Sequence, residues 1–516
     1  MRITFLGHAG LFVETRHGTV LCDPWFTPAY FESWFPFPRN DTLDPERFAR
    51  PDYLYVSHLH RDHFDPEWIA RHVDTRARVL LPDFTVPYLE DSLRALGFTS
   101  FVRTDNAEPI DLEGLEVTII AMNAPADGPL GDSALVLGDG TTRVLNQNDA
   151  RPGDVPLLQR LGPYDGHFLQ FSGAIWYPVA YDFPPDEKER LAREKRINQM
   201  ARARQYVEWV GAAHVFPSAG PPCFLDAALE HLNDLDGEPT NIFPDQTVFL
   251  AELADHHLSG HLVVPGTVIE LDGPRAHVDH PSVDVAHEPF AAKGPYLQRY
   301  RADWNDWMVE RRREWAVREH DVVAELAEWF EPLLTAAPIT SAGIGGVVAL
   351  EWEHAPGTGV AIDFVDSAVR PWTGEPAVYR VTLDRRLVES CIERHDDDWV
   401  NSLFLSCRFT AHRDGPFNEH VMTFFKALSP DRVAHIEASH RAARRADEHF
   451  DHDGWRVQRW CPHRQADLAR FGEIEGTRLT CALHHWQWDL VTGRCITSDD
   501  PDKQLHCERV DESRPG

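Results

Sequence analysis

An α/β architecture followed by a small all-β segment is the fold class this sequence predicts, within a chain of several domains. Three observations carry that reading. Over the first half, short runs of strand character alternate with amphipathic helical stretches, the pattern of a layered α/β domain. About the last 80 residues are short-stranded and loop-rich instead. The length, 516 residues, exceeds what one hydrophobic core serves, so about two to four domains are expected.

The opening stretch reads as strands at Arg2–Leu6, Leu11–Glu14 and Thr19–Cys22, with glycines at the turns. Strand runs at Tyr53–Val56, Ala77–Leu81, Leu115–Ala121, Ser133–Leu137 and Thr142–Leu145 then alternate with helical patterns at Pro66–His72 and Pro87–Leu96. A long amphipathic helix rich in Arg and Glu is predicted from Asp186 to Gly211, and a strand at His214–Pro217 leads to a Gly-Pro-Pro turn. We place the end of this first domain near residue 275. A middle α+β domain, 276–430, has a helical region carrying Trp304, Trp307, Trp315 and Trp329, followed by strands at Gly345–Trp352 and Ala377–Leu383. Tryptophans at that spacing read as core, and the middle domain has no motif that points to chemistry. The third domain is 431–516.

Acidic residues outnumber basic ones by 82 to 50, a formal charge of −32 that repels nucleic-acid phosphates and anionic membranes, so neither is expected as a partner. The same excess also serves solubility alone. No charged leader with an apolar core opens the chain and no run of about 18 apolar residues occurs, which leads us to expect a cytoplasmic protein. Eight cysteines are too sparse for a disulfide framework.

Near the C-terminus the chain reads Cys461-Pro462-His463, then seventeen residues, then Cys481-Ala482-Leu483-His484. Each loop supplies one thiolate and one imidazole. Zinc accepts the same ligand types, although zinc fingers usually pair Cys with Cys and His with His. The arrangement, with its flanks RWCPHRQADL and CALHHWQWDLVTGRC, resembles the Rieske family of the soluble, oxygenase-associated type. That resemblance implies a [2Fe–2S] cluster on Cys461, His463, Cys481 and His484 that passes single electrons. Cys495 and Cys507 read as structural.

A second motif, His58-Leu59-His60-Arg61-Asp62-His63, follows the strand at Tyr53–Val56. Three histidines and an aspartate within six positions point to metal. The motif resembles that of the metallo-β-lactamase superfamily, which implies an αββα sandwich and one or two metal positions: His58 and His60 face one, Asp62 and His63 the other. It also implies Asp149, just past a strand, as a bridging carboxylate. Where hydrolases of the superfamily place two further histidines this chain offers Asp127 and Asp226, which predicts a carboxylate-rich pocket that suits iron, with zinc as the alternative.

Both modules occur together in the CMP-N-acetylneuraminate hydroxylases, and the stretches from Gly131 to Pro152 and from the long helix to Gly220 are similar to that family's. Its Rieske domain is N-terminal, whereas here the motif is C-terminal, so its substrate is not carried over. The resemblance implies electrons entering at the cluster and reaching dioxygen at the metal. We therefore expect an oxidoreductase, a Rieske-dependent monooxygenase or N-oxygenase. Its partners would be a small-molecule substrate, nucleotide-sugar or amino-acid-derived, dioxygen and an external donor such as a ferredoxin or reductase. Two readings compete: a metal-dependent hydrolase with a redox-sensing Rieske domain, and an electron-transfer protein with a degenerate scaffold. A facial-triad iron site at Asp255, His256, His257 and His261 fails on carboxylate spacing and reads as a polar helix end.

Overall fold

The computed structural model describes residues 1–123, 130–173, 175–233, 235, 242–442, 448–463, 466–483, 485–497 and 503–510. The chain divides into two compact units, one of residues 1–123, 130–179 and 184–312, the other containing 180–183 and 313–516.

The first unit holds two sheets. One begins with β1 (Arg2–Gly7), β2 (Gly10–Thr15), β3 (Gly18–Cys22), β4 (Tyr53–Tyr55), β5 (Arg78–Leu81) and β6 (Phe101–Arg103). The other comprises β7 (Ile110–Leu112), β8 (Leu115–Met122), β9 (Asp132–Gly138), β10 (Arg143–Asn148), β11 (Gly166–Gln170) and β12 (His214–Ser218); β13 (Val268–Asp272) and β14 (Arg275–Asp279) return to the first. Their orders are β14-β13-β1-β2-β3-β4-β5-β6 and β12-β11-β10-β9-β8-β7.

Period-two alternation sorts the side chains between layers. Ile3, Phe5, Leu11, Val13, Val20, Cys22, Tyr53 and Tyr55 join Val117, Ile119, Leu135, Leu137, Val144, Phe168 and Phe216 in one core between the sheets. Their neighbours Phe12, Leu21, Leu54 and Val56 face outward onto Trp68, Ile69, Leu89 and Leu93 of α1 (Pro66–His72) and α2 (Tyr88–Ala95). Burying each such side chain stabilises by roughly 1.5–3 kcal/mol. Helices α3 (Val155–Leu161), α4 (Pro185–Val210) and α5 (Gln246–Asp255) cover the second sheet, α4 on β11 and α5 on β12. The layers are α, β, β, α, the sandwich that the sequence implied.

Helix α1 starts where Asp65 accepts a hydrogen bond from the Trp68 amide and Pro66 fills the first turn. Helix α4 stops at Gly211, which takes the left-handed cap at φ 61°. The unit continues past residue 275, since β13 and β14 form a hairpin across that point and α6 (Val283–Ala291) and α7 (Lys293–Arg313) follow. Helix α7 docks Leu297, Tyr300 and Met308 onto Phe35, Cys223 and Leu225.

The second unit begins with α8 (Val322–Ala336) and α9 (Pro338–Ile344), then a five-stranded sheet with helices α10 (Arg385–Arg394), α11 (Glu419–Phe425) and α12 (Pro430–Ala442). The strands are β15 (Val347–Trp352), β16 (Ala355–Asp363), β17 (Ala368–Trp372), β18 (Tyr379–Leu383) and β19 (Phe409–Arg413), in the order β17-β16-β15-β18-β19. Glu437 of α12 is buried and accepts from the Ile339 and Thr340 amides and the Thr340 hydroxyl, capping α9 from outside.

Two small three-stranded sheets close the chain: β20 (His449–His452), β21 (Trp455–Gln458) and the last strand, Cys507–Arg509, form one. Gly472–Glu475, Arg478–Cys481 and Gln487–Asp489 form the other. Among the described residues no helix is long and apolar enough to cross a membrane.

Candidate functional site

In the first unit the chemistry collects where strands end. β1 ends before His8, β3 before Asp23, β4 before the loop of His58, His60, Asp62 and His63, and β10 before Asp149. β1 and β3 each run antiparallel to β2, and β3 and β4 are parallel, so these three loops leave the same edge of the first sheet. The second sheet supplies Asp149 to the same place, with Asp149 Oδ1 3.4 Å from His63 Nε2. His8 (φ 51°), Asp23 (φ 40°) and Asn148 (φ 44°) all take the left-handed conformation, backbone strain concentrated around one site.

Two three-donor groups result, His58 with His60 and Asp149, and His8 with Asp62 and His63. In the second group His8 Nε2 lies 3.1 Å from Asp62 Oδ2 and 3.3 Å from His63 Nε2. Three rings are turned by their other nitrogen. His8 Nδ1 donates to the Gly220 carbonyl at 2.9 Å, His63 Nδ1 meets Asp23 Oδ2 at 3.1 Å, and His58 Nδ1 meets Ser57 Oγ at 2.9 Å and Asp132 Oδ1 at 3.2 Å. Each ring thereby presents Nε2 to the site, the outer-shell pattern that fixes tautomer and orientation in metal-binding histidines. His58 Nε2 is buried and has no hydrogen-bond partner, an atom this donor set leaves to be satisfied by a cation. The residues fit one or two ions.

Burial pulls His58 and His63 down, but Asp132 beside the first and Asp149 beside the second outweigh it and raise both. Burial and the neighbouring His58 push His60 down to about 3, which keeps it neutral and able to ligate. Burial opposes ionisation of Asp149, yet His63 and His58 hold it down at about 2. For Asp62 burial also acts upward, and the His8 hydrogen bond with the His63, His8 and His60 rings outweighs it, holding the carboxyl well below its usual range.

Of the residues singled out in the sequence, His58, His60, Asp62, His63 and Asp149 converge. Asp226 does not: its carboxylate pairs with Arg312 and accepts from the Ala228 amide at 3.0 Å, which consumes both oxygens away from the site. Asp127 lies outside the described residues. His8 was missed, although a histidine between Gly7 and Ala9 in a tight apolar hairpin has little structural reason to be there. With it, four imidazoles and two carboxylates converge among the described residues.

In the second unit Cys461 and Cys481 are fully buried. The Cys461 amide donates to Ala466 O at 2.9 Å and the Cys481 amide to Trp486 O at 2.8 Å, so each cysteine opens a tight loop. His463 stacks on Trp486 with ring centroids 3.9 Å apart. Its Nε2 lies 3.3 Å from Glu419 Oε2 of α11, and Lys503 Nζ is 2.9 Å from the other Glu419 oxygen and 3.2 Å from Pro462 O. His484 lies outside the described residues.

Comparison with known proteins names these parts. Residues 2–129 match the β-lactamase superfamily domain, 322–442 an Rv3818-like, SCP2-like domain, and 447–508 the Rieske [2Fe-2S] domain. A Rieske 2Fe-2S iron–sulfur protein of Mycolicibacterium smegmatis, a description that names no activity, is 44% identical over 522 residues, covering 99% of this chain and 100% of the relative. The 4-amino-L-phenylalanyl-[CmlP-peptidyl-carrier-protein] 3-hydroxylase of Streptomyces venezuelae is 28% identical over 230 residues, 40% of this chain and 41% of that protein. The cytidine monophosphate-N-acetylneuraminic acid hydroxylase of Xenopus laevis is 24% identical over 261 residues, 48% of this chain and 41% of that protein. A lactamase-type domain and a Rieske domain are thus joined in one chain, as the two motifs implied.

Proposed function

We propose, from the premise that this chain belongs to the family of the Mycolicibacterium smegmatis Rieske 2Fe-2S iron–sulfur protein, that it is a Rieske-dependent oxygenase acting on a small molecule at the centre in its first unit. The observation that carries the reading is the pair of adjacent donor sets, joined at Asp149 and His63, in a chain with a Rieske domain. Two relatives of partial coverage named as hydroxylases support it. When bound, the cluster supplies single electrons and iron at the centre supplies dioxygen chemistry.

The residues do the following. Cys461, His463, Cys481 and His484 hold the cluster. His58, His60 and Asp149 would hold one metal, and His8, Asp62 and His63 a second. Asp23, Ser57, Asp132 and the Gly220 carbonyl keep the rings aimed. The Tyr30 hydroxyl donates to Asp62 Oδ1 at 2.5 Å, so that one carboxylate oxygen is engaged and Oδ2 remains turned to His8. An external reductant, a ferredoxin or reductase, completes the system.

One observation favours a second reading. Among the described residues four imidazoles with two carboxylates suit zinc as well as iron, which fits a hydrolase with a redox-sensing Rieske domain. The deciding experiment is incubation of the reduced protein with a small-molecule metabolite extract under 18O2, read by mass spectrometry. Products carrying 18O, formed only with reductant, support the oxygenase. Product formation without oxygen or reductant supports the hydrolase.

A further inference from the structure

A group of cations stands beside the centre in a chain that is otherwise strongly acidic. Arg151 follows Asp149 by two residues on the same loop, and its Nη2 donates to Gln170 Oε1 at 3.3 Å. Facing it, α4 carries Lys195 and Gln199, four residues apart, with Arg196 and Arg202 beside them. Arg196 and Arg202 are buried. At the surface of this helix Arg190 pairs with Glu187 and Glu194, Arg193 with Glu189 and Arg204 with Glu208. Lys195 and Arg151 have no carboxylate partner among the described residues. The ammonium of Lys195 sits 5.3 Å from the centre of the Tyr177 ring, and burial together with Arg151 and Arg202 holds it well below the ordinary lysine range.

A buried donor without a partner lies in the same place. Ser172, 2% exposed, has a hydroxyl with no hydrogen-bond partner, and Gln199, 6% exposed, donates from Nε2 to the Gly173 carbonyl at 3.3 Å. Gly173 stands between them: a Cβ there would come within 2.6 Å of Gln199 Nε2 and 3.5 Å of Arg151 Nη2. The glycine leaves room for both of these nitrogens at one point.

We propose that Arg151, Lys195, Ser172 and Gln199 form an anion-binding site that holds a carboxylate or phosphate of the substrate next to the metal centre. Like charges drawn together in a part-buried cradle, beside hydroxyl and amide donors, become favourable when an anion joins them. The site rests on the proposed function only for the role of the anion as part of the substrate; binding itself is measured without turnover. A charged anchor remote from the reacting atom fixes the substrate's orientation and leaves the chemistry to the centre.

The test uses the full chain loaded with cluster and metal, titrated by calorimetry with inorganic phosphate and separately with acetate, for wild type, Lys195→Met, Arg151→Gln and Ser172→Ala. We expect saturable binding of one of the two anions, weakened about tenfold or more in the Lys195 and Arg151 variants, with iron and zinc contents unchanged. Stronger phosphate binding assigns a phosphoryl group and stronger acetate binding a carboxylate. Thermal unfolding without anion adds a second readout: Lys195→Met should melt at a higher temperature than wild type, because a like-charged buried ammonium is removed, whereas a lysine with a structural role would melt lower. Absence of saturable binding in wild type, equal binding in the variants, or a lower melting temperature for Lys195→Met would each overturn the proposal. None of these results depends on whether the centre proves to be an oxygenase.

Discussion

Replacing His8 by alanine isolates the part of the centre that the sequence motif does not contain. His8 Nε2 is 3.1 Å from Asp62 Oδ2 and 3.3 Å from His63 Nε2, so its loss reduces the second donor set from three side chains to two. The first set, His58, His60 and Asp149, loses nothing. Removing only an outer-shell partner typically weakens metal affinity about 10–100-fold, so loss of a direct donor should cost at least about 100-fold, close to 2.7 kcal/mol. Under dialysis against a weak chelator one metal per chain should leave and one should stay. The fold should survive, because the ring's other contacts are one bond to Gly220 O and an edge contact on Trp25 at 5.0 Å. The assay is metal analysis of wild type and variant with the Rieske EPR signal as an internal standard. Retention of both metals, or loss of both with the cluster intact, would refute the two-set reading.

Three further outcomes are expected. Glu419→Gln removes a carboxylate 3.3 Å from His463 Nε2 while Lys503 remains, so the cluster's reduction potential should rise by on the order of 60 mV, the equivalent of about 1.4 kcal/mol for one electron; protein-film voltammetry reads it, and an unchanged or lower potential would count against the contact. Burial pushes His167 down to about 3, below its ordinary 6.5, so this residue's contribution is fully present above about pH 6.5 and is lost as pH falls towards 3. In denaturant melts of His167→Gln, the stability lost between pH 7 and pH 5 should be about 2 kcal/mol smaller than in wild type. Glu437→Ala should destabilise the second unit by about 2–3 kcal/mol, since it leaves the Ile339 and Thr340 amides without their buried acceptor, a change that thermal unfolding detects.

The layered fold was legible because buried strands write themselves as period-two patterns: Val13 and Phe12, or Leu21 and Val20, alternate between the two cores. β10 was read three residues short, because Asn146, Gln147 and Asn148 are polar although buried. They serve the site: Asn148 Nδ2 donates to Ser133 O and Gln147 Nε2 to Ala150 O, fixing the loop of Asp149. The H-x-H-x-D-H run was legible because one loop carries four donors. His8 was not, since a lone histidine becomes a ligand only when hairpin and loop meet in space. The Asp226 expectation failed for a related reason: after β12 the chain offers the Gly220 carbonyl to His8, and Arg312 of α7, 86 residues on, takes the aspartate. The extent of the first unit was hidden because the aromatic face of α7 does not reveal which core it packs against.

Quantifying iron and zinc per chain in anaerobically purified wild type and in His60→Ala, alongside the EPR spectrum of the reduced protein, tests the central claim most directly. More than two irons per chain are expected in wild type, approaching four. A fall by about one iron, towards three, is expected in His60→Ala with the Rieske signal unchanged. Two irons with zinc in wild type would contradict the claim and leave the hydrolase reading in its place.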